Sequence, residues 1–213
     1  MALITKAMTI TYEVDTGLYI NVTNRCTNRC EFCIRNNGDG AYGSDSLWLE
    51  REPTVDEVLR DVFSRDLTKY SELVFCGYGE PTMRLNDIRE IALCIKNRYP
   101  SIKIRVNTNG HSDLIAGTDT APLYKDAFDS VSISLNTPDA AKYVEICHPV
   151  YQKTAFEALL TFAKNVNKYV QKTYLSVVRQ TLSEEELEKC YKIADDLGIT
   201  LKVRDYISKD DNT

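Results

Sequence analysis

No stretch of the 213-residue chain approaches the roughly 18 consecutive apolar residues that span a bilayer. The opening MALITKAMTITYEVD also lacks the apolar centre of a secretory signal, so a cytoplasmic protein with no membrane partner is expected. Basic residues are not in excess: 26 lysines and arginines stand against 31 aspartates and glutamates, giving a net charge of −5. Dedicated nucleic-acid binders carry the opposite balance, which disfavours a nucleic-acid partner. Internal repeats, low-complexity tracts and linkers are lacking too, so one domain is expected over 1–213. Within it, residues 1–17 are expected to supply a hairpin strand and turn, and the polar 208–213 a flexible tail.

Cysteine, by contrast, is not scarce. Seven occur, an odd number, and without a secretory signal a disulfide framework explains them poorly; reduced thiols, available as ligands, are expected. Three fall within CTNRCEFC at 26–33, while Cys76, Cys94, Cys147 and Cys190 are scattered singly.

The patterning alternates strands with helices. TITYEV (9–14) and LYINVT (18–23) flank Asp15-Thr16-Gly17 and predict a hairpin running into the cysteines, followed by a glycine-rich loop at 36–45. Thr54 with Glu57 predicts a capped helix carrying Val55, Val58, Leu59, Val62 and Phe63 on one stripe, and a buried strand follows at 72–76. Next come a helix over Ile88, Ile91, Ala92 and Ile95 stopped by Pro100, then strands at IKIRVN and at 130–136. A helix over Phe156, Leu159, Leu160, Ala163 and Val166 leads to a strand at 173–178. Ser183 and Glu186 then cap a helix ended by Gly198, before a last strand in TLKVRDY. About six βα units predict an α/β fold with a parallel sheet, open or curled into a partial barrel, whose site lies at the strands' C-terminal ends.

Side-chain parity adds to this reading. Ser130, Ser132, Ser134 and Asn136 share one face against Val131, Ile133 and Leu135. Arg105, Asn107 and Asn109 are likewise set against Ile104 and Val106, and Tyr19, Asn21 and Thr23 against Ile20 and Val22. A polar inner face is costly unless it has partners, which a bound polar ligand would supply. An antiparallel sheet with one wet face is the other reading of the same pattern.

Three thiolates on a tight loop after a strand can converge on one metal centre, yet structural zinc normally takes a fourth Cys or His, and none is near. Three ligands on a four-iron cluster leave one iron open, and an open position marks catalytic metal sites. The run C-x3-C-x-Φ-C, with Phe32 as its aromatic, resembles the signature of the radical S-adenosylmethionine (SAM) superfamily. GYGEPT (77–82), TNG (108–110) and SISLN (132–136) fall where that family places ligand residues. The wording of LYINVTNRCTNRCEFCIR, VFCGYGEPTMR, VNTNGH and SISLNTPDA further resembles the branch named TatD-associated radical SAM proteins.

That resemblance implies a partial (β/α)6 barrel with an N-terminal β-hairpin. It implies an enzyme that reductively cleaves SAM to a 5′-deoxyadenosyl radical for hydrogen abstraction from a substrate, small molecule or protein, that the sequence does not name. Cys26, Cys30 and Cys33 would hold a [4Fe-4S] cluster, and Phe32 would lie near the adenine. Gly77, Tyr78, Gly79 and the Glu80 carboxylate would receive the methionyl ammonium, with Tyr78 standing where the family's motif has a second glycine. Asn109, Ser134 and Asn136 would contact the ribose or the carboxylate. Arg179 reads either as a partner of the SAM carboxylate or as a surface arginine. The resemblance also implies an electron-donor protein such as a flavodoxin or ferredoxin. A sizeable substrate or a partner subunit is expected to close the barrel's open side. The alternative is a non-catalytic metal-binding module or an iron–sulfur electron carrier.

Four single residues keep two readings. Cys147-His148 reads as a nucleophile or hydrogen-atom donor, or as a helix end stopped by Pro149. Cys76 reads as core or as facing the lumen, and His111 as a solvated loop residue or a neighbour of substrate, while Cys94 and Cys190 read as packing residues.

Overall fold

The computed structural model describes residues 4–207; the expectations for residues 1–3 and for the tail at 208–213 lie outside the described residues. Strands β1 (Thr11–Val14) and β2 (Gly17–Ile20) form an antiparallel hairpin. Its turn is Asp15-Thr16, with Asp15 at φ 51, a left-handed conformation that aspartate tolerates. The chain then leaves the sheet for a long loop and returns through helix α1 (Val55–Phe63) to β3 (Glu72–Phe75). Helix α2 (Leu85–Arg98), β4 (Lys103–Thr108), α3 (Ser112–Ala116) and β5 (Ser130–Ser134) follow. Helices α4 (Ala140–Cys147) and α5 (Thr154–Val166), β6 (Lys172–Val178), α6 (Glu184–Leu197) and β7 (Thr200–Arg204) complete the order.

The strands lie in the sheet in the order in which they occur in the chain. From β2 to β7 every neighbouring pair is parallel, which excludes the antiparallel reading of the polar face. The sheet ends at β1 and β7 without joining them, so six parallel strands make a partial, unclosed barrel.

Helices cover the outer face. Ile88, Ile91, Ala92 and Ile95 of α2, with Phe156, Leu159, Phe162 and Ala163 of α5, are buried in one core with Ile104, Val106, Val131 and Ile133. Both anticipated capping boxes form, Thr54 with Glu57 and Ser183 with Glu186, each glutamate accepting the cap residue's own N–H. Helix α2 stops at Tyr99, ahead of Pro100. Strand ends are shorter than the patterning suggests, because residues 21–23, 76, 135–136 and 205–206 have left the ladder to build loops. Helix α3 was not anticipated; five residues are too few to display a period. Cys190 is buried as expected, but Cys94 is exposed on α2 rather than packed in the core. Among the described residues no helix is long and apolar enough to cross a membrane.

Candidate active site

At the C-terminal ends of the parallel strands the inner face opens into a cavity of about 280 Å3. Cys26, Cys30, Cys33 and Phe32 line one side of it, and Gly77, Tyr78, Gly79 and Glu80 another. Asn109, Ser134 and Asn136 project from the ends of β4 and β5, joined by Asn107 and Ser176 of the same polar face. Arg179 is not brought there: its guanidinium pairs with Glu184 and with the Leu182 carbonyl, outside the cavity. The arginine that does line the cavity is Arg204, from the end of β7. Cys76 also faces the cavity rather than the core. Parity fails at the end of β2, where Asn21 donates to the Thr9 and Leu47 carbonyls and Thr23 donates to Glu52.

The cysteine loop is gripped from two sides. On one, Glu80 N donates to the Arg25 carbonyl at 2.7 Å. A Cβ on Gly79 would collide with the carbonyl oxygens of Thr23 and Arg25, and one on Gly77 with the Asn21 side chain. These glycines therefore permit the close approach of the chain to itself. Tyr78 turns outward: it is buried, its hydroxyl 2.8 and 2.7 Å from the carbonyls of Gly38 and Gly40, its ring edge-on to Trp48. A side chain is tolerated at that motif position because it anchors the glycine-rich loop.

On the other side Arg29 N donates to Cys147 O at 2.9 Å, Glu31 N to Ile146 O at 3.0 Å, and Val150 N to Thr27 O at 2.9 Å. The last carbonyls of α4 have no helical partners, and the cysteine loop supplies them. Cys147-His148-Pro149 is thus a clamp at a helix end, with His148 in the left-handed region at φ 44. The buried Cys147 sulfur accepts from Asn136 Nδ2 at 3.3 Å.

A buried chain of hydrogen bonds underlies the loop. Asn109 Nδ2 donates to Thr27 Oγ1 at 2.7 Å, and Thr27 Oγ1 meets His111 Nδ1 at 2.9 Å. His111 Nε2 meets the Tyr143 hydroxyl at 3.1 Å, which also accepts from Asn28 Nδ2 at 3.1 Å. If Asn109 donates to Thr27, the threonine proton goes to Nδ1, and a neutral histidine with its proton on Nε2 completes the chain. His111 is 0% exposed, not solvated, and burial pulls it down to about 4. Thr27, Asn28 and Tyr143 are the residues that sequence reasoning missed here.

Glu80 is buried and tethered within the chain. Its Oε1 accepts from the Thr82 N–H and hydroxyl, and its Oε2 accepts from Asn109 N at 2.7 Å. It binds the GYGEP loop to the TNG turn, while burial raises its pKa against those bonds. The three thiols are held neutral. Burial, then the nearby Glu80 carboxylate, pushes Cys26 up to about 12; burial raises Cys33; the adjacent Cys147 thiol, then burial, raises Cys30. Two cavity-lining acceptors, Asn28 Oδ1 and Asn107 Oδ1, have no partner among the described residues. No three His, Cys, Asp or Glu side chains among the described residues stand close enough to hold a single metal ion.

Residues 20–194 match the family model described as "Radical SAM superfamily". A "GTP 3',8-cyclase" of Clostridium perfringens is 26% identical over 193 residues, covering 89% of this chain and 54% of that protein. The chain thus spans about half the length of that curated relative. Streptococcus suis SuiB bound to the precursor peptide SuiA shares the fold, with a TM-score of 0.63 and 19% identity over 90% of this chain and 39% of that one. SuiB bound to S-adenosylmethionine gives a TM-score of 0.61 at 18% identity, covering 89% of this chain and 38% of that one.

Proposed function

The chain belongs to the radical SAM superfamily, whose enzymes use a [4Fe-4S] cluster and SAM, and from that premise we propose that it cleaves SAM reductively at the cavity just described. When bound, cluster and SAM together supply a 5′-deoxyadenosyl radical able to take a hydrogen atom from a substrate. The observation that carries this reading is the convergence on one cavity of three free cysteines from a single loop with the GYGEP loop and the polar strand ends.

The donor set suits a cluster better than one ion. Around a single zinc, sulfurs at about 2.3 Å from the metal crowd together, whereas each cysteine of a cluster binds a different iron and the sulfurs stand further apart. Three neutral thiols must lose their protons on loading, so assembly releases protons and is favoured by raised pH.

In this reading Cys26, Cys30 and Cys33 hold the cluster and Phe32 lies near the adenine. Gly77, Tyr78 and Gly79 offer backbone groups to the methionyl end, while Asn109, Ser134 and Asn136 contact the ribose or carboxylate. The unpartnered Asn28 Oδ1 supports a polar ligand in the cavity. Glu80 holds the two loops in register, and its cavity-lining carboxylate is the charge set to receive the ammonium. Arg179, committed to Glu184, has no part in it.

The chain works as one domain, draws its electron from a donor protein such as a flavodoxin or ferredoxin, and presents the radical to a small molecule or a protein. Its resemblance to TatD-associated radical SAM proteins names a branch and no substrate. The test is anaerobic reconstitution, reduction and assay of 5′-deoxyadenosine from SAM, with Cys30→Ala as control. Product from the wild type alone is expected. A fully loaded, reduced cluster that yields none, with or without candidate substrates, refutes the reading, and a colourless zinc-loaded protein favours the structural module.

A further inference from the structure

Alternation along β7 sets Lys202 and Arg204 on the inner face and Leu201 and Val203 on the other. Arg204 lines the cavity, and its Nη2 donates to the hydroxyl of Ser132 on β5 at 3.0 Å, so the guanidinium lies on the lumen floor. Lys202 Nζ stands 3.5 Å over the Tyr174 ring of β6. Below them Arg105 of β4 is buried, bound to Glu72 at 2.7 Å and to the Tyr19 hydroxyl at 3.3 Å.

Three cations thus share the lumen with two carboxylates that are already bound: Arg105 occupies both oxygens of Glu72, and Thr82 and Asn109 hold those of Glu80. Neither Lys202 nor Arg204 has a carboxylate within 4.0 Å among the described residues. Asp205, at the cavity's edge, accepts from Gln180 instead. Two lumen cations left without an ion pair in a chain of net charge −5 are not a by-product of composition. Partly buried cations without a counter-charge cost free energy, which an anion entering from the cavity would recover. The residues read as SAM contacts sit on the cysteine loop and at the ends of β3, β4 and β5, whereas Arg204 comes from β7 at the far edge of the sheet. Between them Asn107 lines the cavity, and its buried amide oxygen has no partner among the described residues.

We infer that the substrate carries an anionic group, carboxylate or phosphate, which Arg204 receives on the lumen floor with Lys202 behind it, and a hydrogen-bond donor that meets Asn107. This rests on the radical SAM reading for the identity of the cavity, but not for its charge. Arginine offers a forked pair of donors that matches either oxyanion.

Reconstituted protein, with and without SAM, is titrated calorimetrically with orthophosphate and, separately, with acetate; the tighter of the two identifies the group. Wild type is expected to bind one of them saturably. Arg204→Gln is expected to weaken it by about tenfold or more, the worth of a charge-assisted hydrogen bond. Arg204→Lys should recover part of the loss, Lys202→Gln should cost a few-fold, and Lys189→Gln on the exposed face of α6 should change nothing. Circular dichroism and melting establish that each variant is folded, and SAM affinity should stay within about twofold of wild type in Arg204→Gln. Three results overturn the inference: wild type saturated by neither anion, Arg204→Gln binding as tightly as wild type, or Arg204→Gln losing SAM while keeping the anion. Wild type with an intact cluster that fails to bind SAM would instead overturn the radical SAM reading, a separate result from the anion titration.

Discussion

His111 is the buried residue whose shifted titration falls in the mildly acidic range. Held neutral between Thr27 and Tyr143, it is pulled from the ordinary histidine range to about 4 by burial. An unfolded chain takes up a proton on this histidine below about pH 6.5, and the folded chain does so only near 4, so the unfolded state binds more protons in that window. Stability contributed by His111 is therefore intact above about pH 6.5 and lost progressively as the pH falls to 4, by about 3 kcal/mol in all. Urea unfolding midpoints measured from pH 7.5 to 4 check this. His111→Gln, less stable at neutral pH, should show a flatter profile over the same range. A parallel fall in both proteins would assign the acid sensitivity to the carboxylates. The residue was misread from sequence because its burial is made by Thr27, 84 positions away, and Tyr143, 32 positions away. No local window contains them.

Among elements, the turn after β3 decides the position of the cysteine loop. Gly79→Ala places a methyl against two backbone carbonyls, those of Thr23 and Arg25, neither of which can rotate aside. The turn and the cysteine loop are expected to separate, with cluster occupancy falling well below wild type in a protein that still melts cooperatively. Iron and sulfide analysis after reconstitution measures it. Gly117→Ala, at a helix end with open space around the new Cβ, strains only its own φ of 70 and should leave occupancy unchanged.

Much at this scale was legible: capping boxes at Thr54 and Ser183, breaks at Pro100 and Gly198, and the parity that brings Asn107, Asn109, Ser134 and Asn136 to one cavity. Those signals are local, and local rules found them. Arg179 follows one predicted strand and Arg204 lies within another, and alternation tells them apart. The inward run of Lys202 and Arg204 was readable by the rule applied to the other strands. The clamp of α4 on the cysteine loop was not readable, since it joins backbone groups more than a hundred residues apart whose side chains carry no mark of it.

The molecule as a whole is a sheet laid down in chain order, each strand pairing with the one made before it and the barrel left unclosed. The parity of three strands was enough to place a polar lumen inside it. What left cations in that lumen without a paired carboxylate was the last strand, whose Lys202 and Arg204 stand apart from the Glu72 that Arg105 occupies.

Strand order also has a consequence for how the protein is made. A chain emerging from the ribosome can add β2 through β4 as they appear, with no later segment needed to complete their pairing. The cysteines arrive early, but Asn28 waits for Tyr143, 115 residues on, and the backbone of Arg29 for Cys147. The cysteine loop therefore spends most of translation exposed and unclamped, and metal delivered before α4 is synthesised meets thiols that the finished protein will rearrange. Nascent chains stalled ahead of residue 147 are expected to lose iron on gel filtration that full-length chains retain. Retention by both would mean that the loop assembles its site without the clamp.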